Sequence, residues 1–137
     1  MQIHLRLADS GYGMDVRNES GNSVYADGPS AIGGAEQGMR PMEILLASLC
    51  SCMTIDVLNI LRKQRYQIDR FEIRTNGERK ETGRSTPYSH IRLHFIIGGG
   101  VARKDAERAV SLSLEKYCSV AHSLHPDITF ETSVELD

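Results

Sequence analysis

Residues 42–61 read MEILLASLCSCMTIDVLNIL, and the fold turns on how this stretch is wound. Fourteen of its twenty positions are apolar, and the six polar ones, Glu43, Ser48, Ser51, Thr54, Asp56 and Asn59, are scattered. At 100° per residue they leave no broad polar face, which predicts a helix buried on most sides. Leu, Met, Ala and Glu favour helix over strand. Pro41 suits a first helical position, and Glu43 then lies in the first turn, where the helix dipole favours a carboxylate. Arg40 is a poor N-cap by residue type. Twenty residues span roughly 30 Å, enough to cross a bilayer. Glu43 and Asp56, however, leave only twelve uncharged residues between them, so the stretch reads as a core helix.

A sheet covers one side of such a helix, and a partner subunit is the natural cover for the rest. The 137 residues fit a single domain, 1–137. A net charge of −2 and the lack of any Lys/Arg run argue against nucleic acid or an anionic membrane surface as the main partner. Arg62, Lys63 and Arg65 are sufficiently explained as cations at a helix C-terminus. The first residues alternate polar and apolar instead of forming a basic segment and an apolar run, so the expected location is cytoplasmic. Three cysteines in a chain of this size fit reduced thiols better than a disulfide framework.

Working outward, Ile3, Leu5 and Leu7 alternate with polar residues, as do Tyr12, Met14 and Val16 after a turn at Ser10-Gly11, predicting a hairpin. Ser23–Ala26 forms a short third strand. Asp27–Arg40, with four glycines among fourteen residues, reads as an irregular connection. Beyond the helix, Phe71 and Ile73 face inward from a strand, and 76–89 reads as an exposed hairpin tip. Ile91, Leu93 and Phe95 alternate with His90, Arg92 and His94, leaving both histidines on a solvated outer face. Gly98-Gly99-Gly100 lacks a GxGxxG or P-loop pattern, so no nucleotide site is expected. A second helix is predicted over 103–124, with Ala106, Val110, Leu114, Tyr117, Ala121 and Leu124 facing in and Pro126 stopping it. The last strand covers 130–136. The order of elements defines an α+β domain with mostly antiparallel sheet.

Cys50 and Cys52 are two apart on a helix, about 200° around its axis from one another, and cannot bond while it is intact. Cys52 shares its side with Ser48, Ile55, Asp56 and Asn59. Cys118, on the second helix, can meet the first across the core. A thiol from each helix could cycle between dithiol and disulfide, the first attacking an O–O bond and the second condensing with the resulting sulfenic acid. The bland alternative is three small core hydrophobes. A metal site is another: Cys118, His122 and His125 fall at i, i+4 and i+7, with Cys52 as a fourth soft ligand.

Arg40-Pro41-Met42-Glu43-Ile44-Leu45-Leu46-Ala47, then Cys52-Met53-Thr54-Ile55-Asp56-Val57-Leu58, resembles the central helix of the osmotically inducible protein C (OsmC) and organic hydroperoxide resistance protein (Ohr) family. Glu115-Lys116-Tyr117-Cys118-Ser119-Val120-Ala121 is similar to its second cysteine motif. The likeness covers nearly the whole chain and is nearest the OsmC-like branch. It implies antiparallel sheets packed around a long central helix and a second helix, and an intertwined homodimer. It also implies dithiol-dependent reduction of organic hydroperoxides or hydrogen peroxide, the dithiol being of lipoyl type. By motif position Cys52 is the peroxidatic thiol, Cys118 the resolving thiol and Cys50 a bystander; no cofactor and no resident metal are expected. Well-studied members carry a Glu directly after the Pro, supporting an Arg beside the thiolate. Here Met42 holds that place, Glu43 is the supporting candidate one residue later, and Arg6, Arg17 and Arg40 are the candidate cations. Ser119 replaces the Pro that often follows the second cysteine. The alternative implied by Met42 is an OsmC-fold protein without peroxidase activity that binds a small ligand or a metal ion.

Overall fold

Pro41–Lys63 is a single α-helix, α1, in the computed structural model, which describes residues 1–137. The helix starts at Pro41, the first helical position the sequence suggests, and it has a cap that residue type alone does not reveal. Glu43 Oε2 accepts the backbone N–H of Arg40 at 2.8 Å, the returning half of a capping box, while Pro41 occupies a position where its missing donor costs nothing. Arg62 and Lys63 lie in the last turn, complementing the dipole.

The chain divides into two compact units, 1–47 and 48–137, with the boundary inside α1. In the first, strands β1 (Ile3–Leu7), β2 (Met14–Asn18) and β3 (Ser23–Ala26) form an antiparallel sheet in the order β1-β2-β3. Register places Leu5 opposite Val16 and Val16 opposite Val24, with Leu7, Met14 and Ala26 in the parallel row, so one face is apolar. The long connection to α1 holds only a 3-10 turn at Ser30–Ile32. It is pinned by buried Asp27, whose carboxylate accepts backbone N–H groups from Gly28 and Gln37.

In the second unit, β4 (Phe71–Arg79), β5 (Tyr88–Ile97) and β6 (Thr129–Leu136) form the other sheet. Three of the four strand pairings in the molecule are antiparallel, as expected. The exception is β5 with β6, which run parallel because a helical crossover returns the chain to the same edge. The hairpin tip is shorter than predicted, since β4 continues through Gly77 to Arg79. That glycine does not break the strand; it makes room for the ring of Tyr88, which a Cβ at 77 would meet at 2.3 Å. Phe95, fully buried at the centre of the sheet, is paired with Ile73 on one side and Val134 on the other and meets Phe71 edge-to-face at 6.3 Å. His90 and His94 lie half-exposed on the opposite face, where each bridges to β6: His90 to Thr129 and Glu131, His94 to Ser133 and Glu135.

The crossover corrects the predicted second helix in one decisive respect. It is not continuous from 103 to 124 but consists of α2 (Arg103–Leu112), a π-helical turn (Ser113–Tyr117) and a short α3 (Ser119–Ser123). Cys118 N–H reaches Ser113 O at 2.7 Å, so an extra residue is wound into the turn, and Cys118 itself is extended at φ −70°, ψ 101°. The periodicity therefore slips by one after Val110. Tyr117, expected inside, is 49% exposed, while Ser113 and Cys118 are buried.

α1 departs from expectation too. Only Leu49, Met53, Val57 and Leu61, one stripe at four-residue spacing, are fully buried, and Ile55 is 62% exposed. Its length and composition alone would also suit a membrane span.

Candidate functional site: a thiol pair beside a carboxylate

Four-residue spacing on α1 puts Cys52 and Asp56 on one side of the helix, and the break after the π-turn aims Cys118 at them. The two sulfurs and a carboxylate oxygen of Asp56 all lie within 4.8 Å of one another. Both thiols are free. A disulfide has its sulfurs about 2.05 Å apart, so closing the bond takes a movement of at most about 2.8 Å, at a residue in an irregular segment.

Cys118 is fully buried and caps α3, its Sγ accepting the N–H of Ala121 at 3.4 Å. Burial pushes its pKa up to about 11, with the neighbouring Cys52 adding to the rise and the Ala121 N–H opposing it. At neutral pH it is held as a thiol. Cys52 is half-buried and reachable from outside. A thiol-specific alkylating agent at pH 7 should therefore mark Cys52 before Cys118, and labelling of Cys118 should rise only as pH passes 9 toward 11. Peptide mass mapping over time checks this, and prior labelling of Cys118 would contradict it.

Asp56 was legible only as one of several polar groups beside Cys52, and Ser113 was not legible at all. The Ser113 hydroxyl donates to Asp56 Oδ2 at 3.0 Å from a fully buried position created by the π-turn. Asp56 also lines a cleft of about 570 Å³ with Asn59, Lys63, Arg108 and Tyr117.

Cys50 is on another side of α1. Burial raises its pKa, moderated by a hydrogen bond with Thr75 of β4. Glu43 is engaged at the start of the helix with the Arg40 N–H. The candidate cations are each paired with an acid: Arg6 and Arg17 with Asp15, Arg40 with Glu36. The histidine ligand set is not assembled. His122 Nε2 meets Glu115 O, and His125 lies beside Asp127; the group gathered around the cysteines contains Asp56 instead. Ser119 stands at the first position of α3, where a proline would also fit without loss of a hydrogen bond.

Residues 33–133 match the family described as OsmC-like protein. Protein YhfA of Escherichia coli K12 is 37% identical over 118 residues, 85% of this chain and 84% of its own. A crystal structure of a hypothetical protein from Aquifex aeolicus superposes with a TM-score of 0.84 at 32% identity, covering 99% of this chain and 95% of that one. The organic hydroperoxide resistance protein OhrB of Bacillus subtilis shares the fold at a TM-score of 0.69 and 15% identity, over 98% and 96% of the two chains. The chain is a member of the OsmC-like family, with the α+β fold of OsmC and Ohr proteins.

Proposed function

We propose that the protein is a thiol-dependent peroxidase that reduces organic hydroperoxides or hydrogen peroxide in oxidative stress defence, through Cys52 and Cys118 in a single OsmC-like domain. The observation that carries this reading is the approach of two free sulfurs, one half-buried and one sealed, from separate helical segments. The sulfur of Cys52, as thiolate, attacks the O–O bond, taking one oxygen as sulfenic acid; the other oxygen leaves as alkoxide, or as hydroxide from hydrogen peroxide, and takes up a proton to give an alcohol or water. Cys118 then displaces the hydroxyl from Cys52, closing a disulfide and releasing water. The thiol proton of Cys118 balances that water, and Asp56 is the carboxylate placed to receive and pass it on. A dithiol of lipoyl type restores the pair. A steady-state assay with an organic hydroperoxide and dihydrolipoamide tests the reading: turnover supports it, and turnover no faster than free dithiol overturns it.

The working form is a homodimer. Ile3, Leu5 and Leu7 are 65%, 51% and 65% exposed in the first unit, and much of α1 outside its buried stripe is only half-covered. Apolar rows of this kind mark an interaction surface. Sedimentation should give twice the chain mass, and Leu5→Glu should shift the species toward monomer with little loss of secondary structure. A monomeric parent would remove this part of the reading. The expected location is cytoplasmic, with no membrane or nucleic-acid partner.

A further inference from the structure

We propose that Cys52, Asp56 and Cys118 form a binding site for a soft divalent cation of the zinc class, occupied while the thiols are reduced. The donor set departs from the sequence expectation of no metal, and from the histidine-based alternative as well. Its three donor atoms come from one helical face and one irregular turn, and all lie within 4.8 Å of one another. Around a tetrahedral zinc, with Zn–S about 2.3 Å and Zn–O about 2.1 Å, such atoms are roughly 3.6–3.8 Å apart. The atoms need to draw in by only about 1 Å.

Two thiolates select zinc-class ions over magnesium or calcium, which take oxygen ligands. The outer contacts fit the same use. Ser113 holds one carboxylate oxygen of Asp56, leaving the other free to ligate, and the Ala121 N–H supports the sulfur of Cys118 in the way metal-bound thiolates are supported. The hydrogen-bond partner of Asp56 is a neutral hydroxyl, and ligation by a carboxylate and two thiolates calls for positive charge at the same point. A divalent ion supplies that charge. Asp56 also lines an open cleft, so water can approach its carboxylate and complete the coordination. Three protein ligands with one open position make an exchangeable site rather than a closed structural one. Because the ion and the disulfide use the same two sulfurs, the oxidised chain cannot hold it.

Cobalt(II) is the probe, since tetrahedral thiolate ligation gives it visible and charge-transfer bands. Titration of the full reduced chain should produce these bands at one ion per chain, and zinc should abolish them. Cys118→Ser and Cys52→Ser should lose the charge-transfer intensity, Asp56→Asn should weaken binding at least tenfold, and Cys50→Ser should bind like the parent. Circular dichroism establishes folding of each variant; Asp56→Asn keeps the shape of the side chain and remains decisive if a cysteine variant unfolds. Absence of thiolate bands in the parent, unchanged bands in Cys118→Ser, or parent-like affinity in Asp56→Asn would each overturn the site. The outcome is separable from the peroxidase reading: binding without turnover removes only the enzyme, and turnover without binding removes only the metal.

Discussion

Cys52→Ser should reduce hydroperoxide turnover to the uncatalysed background, whereas Cys50→Ser should retain most of it. The two residues are neighbours in sequence and share the same helix, so the contrast isolates direction from composition. Cys52 points to the side occupied by Asp56 and Cys118, within 4.8 Å of both. Cys50 instead meets Thr75 on β4, where burial raises its pKa and no second sulfur is gathered with it. A serine hydroxyl at 52 keeps the volume and the polarity but cannot accept oxygen from a peroxide or form a disulfide. Loss of activity in Cys50→Ser with survival in Cys52→Ser would reverse the roles.

Phe95→Ala should destabilise the fold by about 3–5 kcal/mol, the range for truncating a buried aromatic side chain. Phe95 has no exposed surface, lies between Ile73 and Val134 across three strands, and makes the edge-to-face contact with Phe71. Against a typical total stability of about 5–15 kcal/mol, that loss is a large fraction. Urea unfolding followed by circular dichroism measures it. A change of about 0.5 kcal/mol, the scale of a surface substitution, would mean the sheet is not packed around this ring.

The central helix was readable because fourteen apolar residues in twenty have few alternatives to burial. The strands were readable because alternation at β1, β5 and β6 is strong. Two things were hidden for physical reasons. Gly77 looks like a strand terminator, yet its lack of a side chain serves a close approach by Tyr88, a contact with a residue eleven positions away. The π-turn is a choice of hydrogen-bond partner, Ser113 O for Cys118 N–H, that leaves no mark in hydrophobic spacing. Its consequence reaches the site, because it turns Tyr117 outward while Cys118 stays buried and brings Ser113 to Asp56. The pairing of Cys52 with Cys118 was expected from the family resemblance. The carboxylate beside them required the fold.

Treatment of the reduced protein with one equivalent of organic hydroperoxide, followed by alkylation and peptide mass mapping, addresses the thiol pair most directly. The account predicts a single intrachain bond joining the Cys52 peptide to the Cys118 peptide, with Cys50 recovered alkylated. Recovery of Cys118 as a free thiol, with Cys52 bonded elsewhere or unmodified, would contradict it.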